Sequence, residues 1–131
     1  MATWKQIRDY IQSNYKYDYD EELDMFKLIF DIVDGRTQAV FLERDQNQGC
    51  DTSYVEISSP VGMVSKNDIF DLLEDLEGKV CGGAVKSGKN IFIRDRMLLE
   101  SVDAVWIDNS LRLIAGIADE MEDKYVGGDE Y

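Results

Sequence analysis

Apolar residues recur along this chain with two periods, and the switches between them mark out its elements. From Met25 to Arg44, MFKLIFDIVDGRTQAVFLER, they alternate. Phe26, Leu28, Phe30 and Ile32 fall on one face of an extended strand, because successive side chains point to opposite sides. Asp34-Gly35 interrupts the run, and Gly35 takes up the left-handed backbone of a tight turn without steric cost. The stretch predicts two long antiparallel strands about a hairpin. Met25, Ile29 and Val33 are left on the other face of the first strand, between Lys27 and Asp31. In a sheet covered on one side only, that second face meets solvent or a partner.

Helical spacing flanks the hairpin. Trp4, Ile7 and Ile11 share a face at i, i+3 and i+7, and Thr3 with Gln6 has capping-box spacing, so a first helix ends near Asn14. Tyr15, Tyr17 and Tyr19 alternate with charged residues and are expected to cover the sheet. Beyond a polar loop at Asp45–Asp51, Tyr54–Ser58 reads as a third strand, and Pro60, with no amide hydrogen, is expected to end the pairing. Ile69, Leu72, Leu73 and Leu76 form a second helical stripe, with Gly78 as a left-handed cap. Val80–Val85 and Ile91–Leu98 predict a second hairpin, in which Gly82 and Gly83 mark a bulge or a close backbone approach.

The last helix, from about Val102 with Ser101 as cap to Tyr125, is ~36 Å long at 1.5 Å per residue. Ile107, Leu111, Ile114, Ala118 and Met121 line its apolar face, with Trp106, Leu113 and Ile117 on the neighbouring row. Asp108, Arg112, Asp119, Glu122 and Asp123 read as its solvent side, and Asp108-Asn109-Ser110 is where it would break. The order α-β-β-β-α-β-β-α gives an α+β fold, an antiparallel sheet with helices packed on it. One domain spans residues 1–126, with a short acidic tail at 127–131.

Charge narrows the partners. Twenty-seven acidic against fourteen basic residues leave a net charge of -13. Such a chain repels phosphate backbones and anionic membranes, so neither nucleic acid nor a membrane is expected, and a basic protein or peptide is. Acidity also serves plain solubility. With no histidine, the commonest general base and metal ligand is missing. Cys50 and Cys81 make no disulfide framework, which points to a reducing compartment. The first ten residues lack a signal-peptide pattern, and no window reaches the length of a membrane span, so a soluble cytoplasmic protein is expected.

Two motifs tempt. Gly83–Asn90 nearly spells a phosphate loop, but Asn90 stands where a hydroxyl is needed and Ile91-Phe92-Ile93 continues as a strand. Asp18, Asp20, Glu21, Glu22 and Asp24 suggest calcium, yet the sixth position of either EF-hand frame is Leu23 or Met25 rather than glycine. A solvated acidic turn is the expected reading. No catalytic residue, metal or cofactor is expected.

The element order, size and acidity resemble the type III secretion chaperone-like proteins, including the bacterial YbjN-type group. Ser59-Pro60-Val61-Gly62 and Ile117-Ala118-Asp119-Glu120-Met121-Glu122 are similar to segments of YbjN-type sequences. The resemblance implies a non-enzymatic, homodimeric protein-binding module with a chaperone-like or regulatory role. It implies a client surface at Trp4, Ile7, Ile11, Ile29 and Val33, and dimer contacts at Ile69, Phe70, Leu73, Leu76, Val80 and Ala84. Core packing is the plain expectation for Ile7, Leu73 and Leu76. The charge alone favours the alternative, an acidic inhibitor or immunity-like protein covering a basic partner. A pocket holding convergent polar groups and a carboxylate of raised pKa would favour an enzyme or small-ligand carrier instead.

Overall fold

Helices pack on one face of a six-stranded antiparallel sheet in this computed structural model, which describes residues 3–46 and 52–127. The elements are α1 (Trp4–Asn14), β1 (Asp18–Asp20), β2 (Met25–Asp31), β3 (Thr37–Gln46), β4 (Ser53–Gly62), α2 (Ile69–Glu77), β5 (Gly83–Ser87), β6 (Asn90–Leu98) and α3 (Ala104–Tyr125). The strands lie in the order β1-β2-β3-β4-β6-β5. This is the α+β architecture that the pattern predicts, with β1 added at one edge. Cys50 and most of the predicted loop and tail lie outside the described residues, while Asp45 and Gln46 belong to β3.

The predicted hairpin forms, its strands paired from Met25↔Glu43 to Asp31↔Thr37. Its turn is wider than two residues. The Ile32 amide donates to the Arg36 carbonyl at 2.7 Å, and Asp34 and Gly35 both take positive φ, 63° and 75°. Because β2 ends at Asp31, Val33 sits in the turn and not on a strand face.

Pro60 does not end β4. Pairing with β3 stops at Phe41↔Ser58, but the ladder to β6 runs on through Pro60↔Phe92 and a bulge to Gly62↔Ile91. The Pro60 carbonyl points towards β3 and accepts from Gln38 Nε2 at 2.7 Å. Amide and carbonyl of one strand residue point the same way, so the missing N–H also lies on the β3 side and the β6 ladder loses nothing. Side chains fill the gap: Gln38 Nε2 donates to Ser59 Oγ at 2.8 Å, and Ser59 Oγ donates to the Ala39 carbonyl at 2.6 Å.

One core forms on the helix-covered face. Trp4, Ile7 and Ile11 of α1, Leu72 of α2, and Ile107, Leu111, Ile114 and Met121 of α3 meet Phe26, Leu28, Val40, Leu42, Val55, Ile57 and Ile93 from the strands. The Thr3–Gln6 capping box forms as expected. Tyr15 packs edge-on against Phe30, Tyr17 edge-on against Phe26, and Tyr19 lies over Phe26, so the three tyrosines do cover the sheet.

Several expectations shift in the second half. Leu73 is exposed, because α2 buries Leu72 alone among its leucines and turns Phe70 and Leu73 outward. Gly78 has φ −79° and is no left-handed cap. Val80 precedes β5, and the close approach falls at Gly82, with φ +94° and Ile93 Cγ2 and Ile114 Cδ1 only 3.0 and 3.1 Å from where a Cβ would sit. Asp103 rather than Ser101 caps α3, accepting from the Trp106 amide at 2.8 Å. The helix runs unbroken through Asp108-Asn109-Ser110.

Asp119 and Glu122 correct the reading of its solvent side, since both are buried. They face Arg36 in the hairpin turn: Arg36 Nε lies 2.9 Å from Asp119 and Arg36 Nη2 3.5 Å from Glu122, with Asp123 at 3.6 Å. A heptad-style reading of α3 alone misses a cation that arrives from another element.

Candidate functional site

Alternation that sends Phe26 and Leu28 into the core sends Met25, Lys27, Ile29 and Asp31 to the other side of β2. Register carries that rule across the sheet: Phe41 lies opposite Lys27 and Ser58, Glu43 opposite Met25 and Glu56, and Glu56 opposite Arg96. Phe92, Arg94 and Arg96 follow on β6, with Val85 opposite Phe92 on β5. The buried side chains of all three helices join the cluster on the far face. What remains is a trough of about 360 Å³, walled by Met25, Phe41, Val85 and Phe92 and floored by charge. A hollow beside it shares Met25 and Phe41 and is rimmed by Asp18, Asp20, Glu21 and Glu22.

The floor is a linked set of ions. Glu56, only 8% exposed, accepts from Arg96 Nε at 2.8 Å and lies 3.4 Å from Arg94 Nη1. Arg96 Nη2 also meets Asp45 at 2.9 Å. Both arginines are thus engaged. Glu43 has a different environment: it lies opposite the Glu56 carboxylate across the β3–β4 ladder. Burial pushes the Glu43 pKa up to about 7, Glu56 adds to it, Asp45 adds further, and Arg96 opposes. Two carboxyls side by side cannot both ionise cheaply, so Glu43 holds its proton into the neutral range.

Other polar clusters tie elements together. Asp108 of α3 accepts from both Tyr10 and Tyr15, binding α1 and the following segment to the last helix. The hydrogen bond to Asp108 raises the Tyr10 pKa, and burial raises that of Tyr15, so both phenols stay protonated as donors. Asp24 accepts from Trp4 Nε1 at 2.8 Å and from Tyr19. Asp20 accepts from the Leu23 amide at 3.1 Å, so the acidic turn spends two of its carboxylates on its own structure. Among the described residues no three histidine, cysteine or acidic side chains converge as metal ligands. Burial, then Asp95, raises the Cys81 thiol, the opposite of an activated nucleophile. Gly83–Ser87 and Asn90–Leu98 form a hairpin, so the near-phosphate-loop lacks its helix.

The sequence-predicted contact residues separate. Trp4 and Ile11 lie inside the core, Ile11 wholly, and offer no surface to a client. Ile29, 53% exposed, stands on the open face, whereas exposed Val33 belongs to the turn. Phe70, Leu73 and Val80 are exposed, 82%, 45% and 87%, while Ile69 and Ala84 are half-buried against the core. Apart from Met25, which alternation already puts on this face, the trough residues were not legible in the sequence. Alternation places Phe92, Arg94 and Arg96 on one side of their strand, but only the β4–β6 register sets them against Glu56.

Among the described residues no helix is long and apolar enough to cross a membrane. Compared with protein-family models and with curated proteins, the sequence finds no match.

Proposed function

We propose that this chain is a non-enzymatic protein-binding module of the YbjN or secretion-chaperone-like kind, and that its open sheet face receives a segment of another protein. One observation carries the reading: a sheet sealed by helices on one face holds, on the other, an apolar-walled trough over a charged floor. A trough without a roof suits a chain segment better than a small molecule, which needs most of its surface enclosed. The element order and the exposed Ile29 support the same reading. Self-association is assigned to Phe70, Leu73 and Val80, an exposed apolar set away from the trough. Sedimentation of wild type and Phe70→Glu tests it: a monomer at high micromolar concentration in both removes the dimer.

For the trough, wild type and Phe41→Glu serve as baits in one cell extract. A segment recovered with wild type, made as a peptide, is expected to bind Phe41→Glu at least ~10-fold more weakly. It is also expected to shift the amide resonances of Phe41, Ser58 and Phe92. Capture indifferent to Phe41→Glu, or shifts confined to α1 and α3, moves the site off this face. A second reading, an acid–base enzyme, draws on the raised Glu43 pKa. The engaged arginines and the protonated Cys81 thiol count against it.

A further inference from the structure

The charges on the open face are not balanced. Asp18, Asp20, Asp31, Glu43, Asp45 and Glu56 stand on its strands against Lys27, Arg94 and Arg96, and Glu21 and Glu22 rim its β1 end. Arg96 is shared between Glu56 and Asp45, and Arg94 leans on Glu56. Among the described residues no cation lies within ion-pairing distance of Glu43. Across the ladder on one side it meets Glu56, and on the other Met25, a side chain that cannot answer its charge. A proton therefore stands where a counter-ion is missing.

We propose that the trough selects an extended peptide of alternating apolar and basic residues, with one lysine or arginine seated between the facing Glu43 and Glu56 carboxylates. This rests on the open-face reading above and names the chemistry of its partner. Apolar side chains of the peptide cover Phe41 and Phe92. The cation enters from the β1 end, where Asp18, Asp20, Glu21 and Glu22 draw it in. The groups that bear on Glu43 are Asp45 on its own strand, Glu56 on β4, Arg94 and Arg96 on β6, Lys27 on β2 and the β1 aspartates. When the cation docks, the Glu43 carboxyl proton leaves to solvent and the carboxylate forms the ion pair.

The sign follows from linkage. Below the pKa of about 7 the cation must displace the proton and binding is weakened; above it the seat is already ionised. Affinity rises with pH up to neutrality and then levels.

Two fluorescein-labelled probes test this at 0.15 M salt: an acetylated (Leu-Lys)4 peptide and its uncharged (Leu-Gln)4 counterpart. Expected are tighter binding of the lysine peptide, a gain of about tenfold from pH 5.5 to pH 8, and a flat profile in Glu43→Gln. Calorimetry of wild type in two buffers of different ionisation enthalpy is expected to show proton release near pH 6. That measurement stands even if Glu43→Gln does not fold. Equal, pH-independent binding of both probes, lost in Phe92→Glu, would keep the open face and overturn the cation seat. A pH dependence that survives Glu43→Gln would overturn it too, as general attraction to an acidic protein. Failure of both probes to bind wild type at either pH would overturn the open-face reading with it.

Discussion

Both faces of this sheet hold clusters of arginine and carboxylate, and the two clusters have opposite consequences. On the covered side Arg36 reaches buried Asp119 and Glu122 and pins the hairpin turn to α3. On the open side Arg94 and Arg96 hold Glu56 at the bottom of a trough, and Glu43 keeps a proton instead of a cation. On the covered side both buried carboxylates share the Arg36 guanidinium, whereas on the open side Arg94 and Arg96 go to Glu56 and Asp45 and neither ion-pairs with Glu43. Burial decides the difference: a charge sealed under a helix must be answered within the chain, while one at the floor of a trough can wait for a visitor.

Substitutions of matched size should separate the faces most sharply. Ile114→Ala, in the sealed core, is expected to cost about 2–5 kcal/mol in urea unfolding, against under about 1 kcal/mol for Ile29→Ala on the open face. Equal losses would mean that the open face is a second core.

Arg36→Leu is next, at about 3 kcal/mol, because it leaves Asp119 and Glu122 buried without the arginine. A neutral result in the same unfolding experiment would make the covered cluster as dispensable as a surface pair.

Gly82→Ala tests how tightly the covered face is closed. Its φ of +94° and the nearness of Ile93 and Ile114 predict a loss of about 1–3 kcal/mol and a lower Tm.

Smallest is the pH effect of Glu43. Its pKa is raised in the folded protein, so its contribution is fully present below about 4.5 and fades as pH rises through about 7. Wild type should therefore lose stability relative to Glu43→Gln across that window, by under about 1 kcal/mol after solvent screening. A parallel pair of Tm–pH curves would remove the raised Glu43 pKa.

Much of the covered face was legible in the sequence, because periodicity reports burial. Phe26 and Leu28 alternate, Trp4, Ile7 and Ile11 share a helical face, and all five enter the core. Capping chemistry is equally local, which is why Thr3 and Gln6 behave as read. Three residues of β1 are too few for a period to register. Pro60 misled because the sequence does not tell which neighbour its missing amide faces. Leu73 fits a clean apolar stripe, yet only the way α2 is set on the rest of the fold, with Asp75 tied to Lys124 and Tyr125 and Leu72 in the core, decides which leucine goes inside. The open-face site needed registers between strands far apart in the chain: Glu56 and Arg96 are 40 residues apart, and no local pattern joins them.

The position of α3 in the chain has a consequence for the making of the protein. This helix supplies most of the apolar cover for β3, β4 and β6, and it follows all six strands in sequence. Tyr10 finds its hydrogen-bond partner Asp108 only 98 residues later, and Arg36 finds Asp119 after 83. At synthesis rates of about 5–20 residues per second, the helix takes roughly 1–4 s to emerge. Over those seconds the strands are complete while Leu42, Ile57 and Ile93 lack their lid. A nascent chain stalled before Ala104 presents apolar side chains on both sides of its sheet, and it is then, rather than in the finished fold, that this acidic protein is most exposed to aggregation.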